Sequence, residues 1–137
     1  MREILFRGKR ESDGRWLYGL YSDDRVHGTD FPCIMPLTTE EDNGDWAVLE
    51  ETVSQYTGLT DKNGTKIFGG DILEFTYDGE KTPYLIKWDK FDCCYRIWEP
   101  DKAYDYCDCR DSEMFEVIGN IFDTPRFFID GTSYDEI

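Results

Sequence analysis

The sequence has a single histidine, His27, and this scarcity restricts the chemistry open to the chain. A histidine-based catalytic triad would have to use that one residue, which stands in a segment without regular patterning. A phosphate-binding loop is missing too, because Gly69-Gly70-Asp71 lacks the lysine and the spacing of a P-loop. The sequence therefore favours a protein that is not an enzyme, and it indicates no cofactor.

Long apolar runs are also missing. No run approaches the roughly 20 residues of a membrane-spanning helix. Residues 1–10 contain charges but no apolar stretch of the kind that signal peptides carry. We therefore expect no membrane association and a cytosolic location.

Basic residues are few, since 15 lysines and arginines stand against 30 aspartates and glutamates and give a formal net charge of −15. Such a surface repels phosphate groups and anionic lipids, so we expect no direct binding of nucleic acid. The charge is uneven, because the opening segment is basic: Arg2, Arg7, Lys9, Arg10 and Arg15. The acidity leaves open a basic partner protein, a cation, head-to-tail contact between copies, or solubility alone.

The five cysteines form no recognisable disulfide or zinc pattern: Cys33, Cys93, Cys94, Cys107 and Cys109. Their number is odd, and a reducing cytosol disfavours disulfides. Structural zinc sites prefer cysteine pairs two to four residues apart, whereas these pairs are adjacent or separated by one residue. We therefore expect free thiols and no metal site.

What the sequence does contain is a regular series of turn signals. Five dipeptides tolerate positive φ in tight turns: Asp13-Gly14, Asn43-Gly44, Asn63-Gly64, Asp78-Gly79 and Asp130-Gly131. Between them, apolar and aromatic residues alternate in four regions. The first has Ile4 and Phe6, then Trp16, Tyr18 and Leu20, and the second has Leu73, Phe75 and Tyr77, then Tyr84, Ile86 and Trp88. In the third, Tyr95 and Ile97 share one face with Trp98 on the other, and the fourth is Phe115–Phe122, which Gly119 interrupts. The first region predicts a hairpin with one buried face, and the whole pattern predicts a small barrel or a strongly bent sheet. Residues 46–49 are expected to form a short strand and residues 51–55 a helical turn.

The central stretch carries a long motif. Residues 51–64 have the sequence ETVSQYTGLTDKNG, and IFGGDI follows at residues 67–72. This stretch resembles the signature of the YopX family, E-T-V-x-Q-Y-T-G-L-x-D-x-x-G followed by I-x-x-G-D-I. The opening REILFR and the later EVIGNI at residues 116–121 match as well. Two positions depart mildly, because the family usually has glycine at Ser54 and a glutamate-like residue at Gly69.

The resemblance implies an α+β fold that is rich in β-structure, with a mixed N-terminal subdomain and a C-terminal small β-barrel similar to SH3-like domains. It also implies phage or prophage origin, and hence a bacterial cytoplasm, but no reaction. We expect one YopX-like domain over residues 1–137, with subdomains near residues 1–60 and 61–137.

Within the motif, the residues that could form a structural or interaction site are Gln55, Tyr56, Thr57, Gly58, Asp61, Gly64, Gly70 and Asp71. Gln55–Thr57 could present an exposed polar patch, or Tyr56 could belong to the core. The stretch that begins at Asp61 does not fit a calcium-binding EF-hand loop, because positions 5, 6 and 12 are wrong. A polar turn with Gly64 at positive φ is therefore favoured. Gly70-Asp71 indicates a strand entry in which the aspartate binds local backbone amides.

The leading hypothesis is a phage accessory protein that acts through protein contacts, with a host or phage protein and with itself as a homo-oligomer. One alternative is a metal-dependent hydrolase or nuclease built on an acidic cluster: Asp101, Asp105, Asp108 and Asp111. Another is an acidic protein that imitates the DNA phosphate backbone and inhibits a host enzyme. That idea requires carboxylates along one face, and Lys102 and Arg110 interrupt the most acidic stretch.

Overall fold

The computed structural model describes residues 2–25, 30–37, 44–99, 106–107, 109–125 and 137. This part of the chain contains ten strands: β1 (Phe6–Lys9), β2 (Trp16–Ser22), β3 (Cys33–Pro36), β4 (Ser54–Thr60), β5 (Lys66–Phe68), β6 (Asp71–Tyr77), β7 (Glu80–Asp89), β8 (Cys94–Trp98), β9 (Tyr106–Cys107) and β10 (Glu116–Asn120). Two 3-10 turns lie at Glu50–Thr52 and Cys109–Met114. The chain divides into two compact units, residues 1–56 and 57–137.

The first unit contains the antiparallel strands β1, β2 and β3 and the start of β4, in the strand order β3-β2-β1-β4. The predicted Asp13-Gly14 turn joins β1 to β2, and Gly14 has a φ of 75°. Inside this unit, a core forms from Leu17, Ile34 and Val48, with partly buried apolar side chains packed around them. Leu17 comes from β2, and Phe6 of β1 packs against the same core, so one face of the β1–β2 hairpin is buried, as predicted.

In β2, however, the buried side is the opposite of the one that the alternation suggested. Leu17 is buried, whereas Tyr18 and Leu20 are 46% and 50% exposed. Side chains alternate between the two faces of a strand, so exchanging odd for even positions on the buried face moves every side chain to the opposite face. Apolar residues stand at both odd and even positions of β2, and the expectation that Trp16, Tyr18 and Leu20 mark the buried face is wrong.

The second unit contains an antiparallel sheet with the strand order β10-β6-β7-β8-β9. The Asp78-Gly79 turn joins β6 to β7, and both residues have positive φ, at 50° and 79°. Positive φ at both central residues defines the type I′ turn, whose twist suits a two-residue hairpin. The ladder between β10 and β6 shifts register between Val117 and Gly119, which is the interruption that the glycine indicated.

Both faces of this sheet carry apolar clusters. One cluster is formed by Ile67, Leu73, Ile86, Ile97 and Phe115. The other is formed by Ile72, Leu85, Ile121 and Ile137. Adjacent residues of β6 and β7 therefore enter different clusters, as the two-residue period of a strand requires. The prediction that Tyr95 and Ile97 share a face with Trp98 opposite is confirmed, because Tyr95 packs on the first cluster and Trp98 on the second.

The expected α+β class is wrong. Strands and bridges hold 53% of the described residues, and the 8% that are helical lie in 3-10 turns. The described ladders form two antiparallel sheets, so neither a mixed N-terminal part nor an SH3-like barrel describes them. The physical reason lies in the apolar pattern, which repeats every two residues between closely spaced turns and leaves no stretch with a helical period.

Two local expectations for residues 46–55 are also corrected. The predicted helical turn at residues 51–55 is a 3-10 turn at Glu50–Thr52, after which β4 begins. The predicted strand at residues 46–49 is reduced to isolated bridges at Ala47 and Val48. Asn43 and the Asp130-Gly131 turn lie outside the described residues. That residues 1–137 fold as one domain stays a prediction.

Replacing Ile86 by alanine is expected to destabilise the second unit by about 2–5 kcal/mol, because removing a fully buried side chain leaves a cavity in the cluster that it shares with Leu73 and Phe115. The free energy of unfolding from urea titration measures this loss. Ile118→Ala is the matched control, since Ile118 is 47% exposed in β10 of the same unit. The control is expected to lose less than about 1 kcal/mol. Equal losses for the two variants would contradict the described core.

Candidate functional site

The first candidate site residues of the motif lie in β4, where most of their side chains are enclosed. The backbone of Gln55 pairs with Phe6 of β1, and the Tyr56 N–H donates to the carbonyl of Leu5 at 2.8 Å. Gln55 is half-buried and Tyr56 is buried. Of the two alternatives for this stretch, the structure places Tyr56 in the interior and presents no exposed patch across Gln55–Thr57.

Thr57 uses its hydroxyl to connect β4 with β5. The hydroxyl donates to the carbonyl of Ile67 at 2.7 Å and accepts the N–H of Leu59 at 3.2 Å. Gly58 between them is exposed and has a φ of 88°, a conformation that side-chain-bearing residues rarely adopt. This part of the motif therefore shapes the backbone at the start of the second unit.

Asp61 is the most heavily engaged polar side chain of the motif. Its Oδ1 accepts the N–H groups of Asn63 at 2.8 Å and Thr65 at 2.9 Å. Its Oδ2 accepts the N–H of Val117 at 2.9 Å. The carboxylate is buried and, through these bonds, holds the turn that contains Gly64 (φ 79°) against β10. The predicted polar turn at this position is therefore present.

The electrostatics of Asp61 follow from these contacts. Burial alone would raise the pKa of Asp61, because it disfavours the charged carboxylate. The backbone N–H groups of Val117, Thr65 and Asn63, together with the charge of Lys62, stabilise the ionised form more strongly. The pKa of Asp61 is therefore lowered, so this group is a permanent hydrogen-bond acceptor at neutral pH and unsuited to proton transfer there.

Gly70 and Asp71 form the entry to β6. Asp71 is buried, and its Oδ2 accepts the N–H of Phe68 at 2.7 Å. Gly70 donates its N–H to the carbonyl of Ile86 at 2.8 Å and accepts the N–H of Ile121 at 3.0 Å. Its φ is 85°, and a Cβ at this position would overlap the side chain of Ile137. The local backbone role predicted for Asp71 is thus present.

One engaged residue was missed by the sequence reasoning. Asn120, at the end of β10, accepts the N–H groups of Phe122 at 3.0 Å and Asp123 at 2.9 Å through its Oδ1. Its Nδ2 donates to the Asp123 carboxylate at 3.0 Å. The sequence did offer a signal, because Asn120 lies in the EVIGNI stretch that matches the family signature. No role was assigned to that stretch. With Asn120 included, the structure uses the motif residues to hold backbone segments together.

Chemistry based on metals or cysteines finds little support among the described side chains. No group of three or more histidine, cysteine, aspartate or glutamate residues in this part of the chain could hold a metal ion. Asp111 lies exposed in the second 3-10 turn, whereas its three proposed companions lie outside the described residues: Asp101, Asp105 and Asp108. His27 lies outside them as well. Cys33, Cys93 and Cys94 are free thiols, and the side chains of Cys107 and Cys109 are not described.

The feature of the first unit that remains unexplained by folding is an apolar surface on strands β2 and β3. We call it the outer face, and it consists of Tyr18, Leu20, Met35 and Leu37. Leu20 and Met35 are direct cross-strand partners, at 50% and 45% exposed. Tyr18 lies two residues from Leu20 on the same side of β2, and Leu37 directly follows β3 at 62% exposed. Leu20 and Met35 therefore form an exposed apolar cross-strand pair, with Tyr18 on the same side of β2.

The edge of the sheet beside the outer face is closed to strand addition. The N–H of Ile34 donates to the carbonyl of Trp46 at 3.0 Å, and the N–H of Val48 donates to the carbonyl of Pro32 at 3.0 Å. Further along β3, Pro36 has no N–H to offer. A partner would therefore contact the side chains of the outer face and not extend the sheet.

Two cations lie beside the outer face but are held by an aromatic ring. The guanidinium carbon of Arg7 lies 4.8 Å from the ring centroid of Trp16, and the Lys9 Nζ lies 5.5 Å from it. Arg7 is buried and also donates from its Nε to Ser54 Oγ at 3.2 Å. Cation–π contacts, and for Arg7 also a hydrogen bond, therefore engage both positive charges within the chain.

None of the helical segments in the described ranges has the length and apolar character needed to cross a membrane.

Comparison with known proteins agrees with the motif. The chain matches the family described as YopX protein over residues 5–128, and it therefore belongs to the YopX family. Protein EF1440 from Enterococcus faecalis, known from a crystal structure, is similar with a TM-score of 0.52 and 24% identity. That similarity covers 91% of this chain and 97% of EF1440, and it supports the fold alone. No curated protein matches the chain.

Replacing Asp61 by asparagine is expected to destabilise the protein by about 1–3 kcal/mol at neutral pH. An asparagine keeps one acceptor oxygen and turns an NH2 group toward an N–H donor that the carboxylate now satisfies. Chemical denaturation measures the loss. Asp111→Asn is the matched control, because Asp111 is exposed in the same unit. An Asp61→Asn variant as stable as this control would show that the three bonds contribute little.

The lowered pKa of Asp61 also predicts how that loss depends on pH. A carboxylate with a depressed folded-state pKa contributes its full stabilisation above its unfolded pKa of about 4, and this stabilisation disappears as the pH falls through the folded value. The stability difference between wild type and Asp61→Asn is therefore expected to be constant near neutral pH and to shrink below about pH 4. Denaturation curves across this range measure it, and a difference that does not change with pH would contradict the assignment.

Proposed function

We propose that this YopX-family chain is a non-catalytic accessory protein of phage or prophage origin that works in the bacterial cytoplasm by binding proteins, including copies of itself. The observation that carries this proposal is the outer face, where three large apolar side chains on paired strands and Leu37 just after β3 remain exposed. Exposing such a surface has a solubility cost, and a partner that covers it removes that cost.

The state of the motif supports the same proposal. Asp61 and Asp71 are buried and accept backbone N–H groups, and Thr57 binds a backbone carbonyl. These groups are engaged in holding the fold, so they are poor candidates for a reaction centre. The family signature then identifies a scaffold, and activity is expected at the surface.

The proposal predicts a protein that forms complexes and consumes no substrate. Light scattering on the purified chain is expected to give a mass above that of the 16.1 kDa monomer at high concentration. Affinity capture from an extract of the host bacterium is expected to retain a defined protein. Calorimetry with magnesium and manganese serves as the control for a metal-dependent enzyme. A strict monomer that captures nothing would refute the proposal, and tight metal binding with hydrolytic activity would replace it with the enzyme alternative.

A further inference from the structure

We infer that Ile137 occupies a binding site for protein segments, and that this site takes a branched aliphatic side chain from a partner once Ile137 has left it. We call this place the Ile137 site. It consists of two glycines and four apolar residues: Gly69, Gly70, Ile72, Leu85, Ile121 and Phe122. The inference rests on the proposed function, which is protein binding, and adds a second surface with a stated partner chemistry.

Ile137 fills this site with both its side chain and its main chain. The side chain belongs to the second apolar cluster of the sheet, and the residue is only 7% exposed. The carbonyl oxygen of Ile137 stands where a Cβ of Gly69 would be, and its Cγ2 would overlap a Cβ on Gly70. The two consecutive glycines therefore let an incoming segment lie directly against the backbone, which is a close approach that any other residue type would block.

The walls of the site are held by contacts that do not involve Ile137. The N–H of Ile121 donates to the carbonyl of Gly70 at 3.0 Å, which fixes one wall. Ile72 pairs with Leu85 in the ladder between β6 and β7, which fixes another. An apolar cavity with fixed walls binds apolar groups that fit it, and most ligand sites are formed before the ligand arrives. We therefore expect the site to persist without Ile137 and to accept an isoleucine from another source.

A resident side chain also controls how readily a partner binds. Ile137 belongs to the same chain as the walls, and a ligand on a short tether acts at an effective concentration of the order of millimolar. A free segment must displace it, so the apparent affinity falls in proportion to the fraction of molecules in which the site is open. The site is therefore expected to be mostly closed in the free protein, and removal of the Ile137 side chain is expected to open it.

Titration of a synthetic peptide into the full chain tests the inference, with the shifts of backbone amide resonances as the measurement. The peptide is TSYDEI, the sequence of residues 132–137. The variant Ile137→Ser opens the site and is expected to bind the peptide at least about tenfold more tightly than the wild type does. The amide signals of Ile72 and Ile121 are expected to move. The same peptide with Ile137→Ser is the control ligand, and no binding is expected.

Gly69→Ala in the opened variant tests the geometry of the site. Gly69 does not have a positive φ, so alanine acts there through the space that its Cβ fills, which the incoming carbonyl requires. Peptide binding is expected to weaken at least about tenfold. Gly119→Ala is the matched control in the same sheet, because a Cβ at Gly119 meets only the Thr124 Oγ1, at an ordinary contact distance of 3.8 Å. This control is expected to leave peptide binding unchanged.

Circular dichroism verifies that the variants are folded. Equal binding by the wild type and the opened variant, no binding by a folded opened variant, or equal effects of Gly69→Ala and Gly119→Ala would each overturn the inference. If Ile137→Ser and the milder Ile137→Ala both fail to fold, Ile137 is a fixed part of the core, and the inference is overturned as well. A wild-type chain that captures a host protein while the opened variant ignores the peptide leaves the proposed function standing. A wild-type monomer that captures nothing refutes the proposed function, whatever the peptide does.

Discussion

The buried carboxylate of Asp61 connects the central motif with the sheet of the second unit. One side chain accepts three backbone N–H groups, two from its own turn and one from Val117, 56 residues later in the chain. The position of β10 along β6 depends on this anchor and on the bond from Ile121 to Gly70. This local turn thereby positions β10 in the sheet. The carboxylate of Asp61 stays ionised because the backbone N–H groups that it orders also stabilise its negative charge.

A family signature of this kind marks positions where backbone geometry leaves few alternatives. Gly70 needs a positive φ and has no room for a Cβ beside Ile137, and Asp71 satisfies a buried N–H that water cannot reach. Such positions resist substitution for structural reasons. In this chain, the signature residues therefore hold the fold together.

The surface of the first unit shows a different balance. Its inner side buries Leu17, Ile34 and Val48, while the outer face keeps Tyr18 and Leu20 in contact with solvent. The neighbouring edge is closed by hydrogen bonds to Trp46 and by Pro36, which protects the chain from uncontrolled strand pairing. An apolar face beside a protected edge is the basis of the proposed function, because contact through side chains does not extend the sheet.

The sequence by itself determined the features that depend on near neighbours. We could predict the Asp78-Gly79 hairpin and the opposite faces of Ile97 and Trp98, because turn chemistry and the two-residue period act over a few residues. Membership of the YopX family could be predicted from the central motif. Only the tertiary structure decided which side of β2 is buried, since apolar residues stand at both odd and even positions and the choice depends on strands far away in the chain. The link from Asp61 to Val117 was decided in the same way, because the two residues lie 56 positions apart and no local pattern records their proximity.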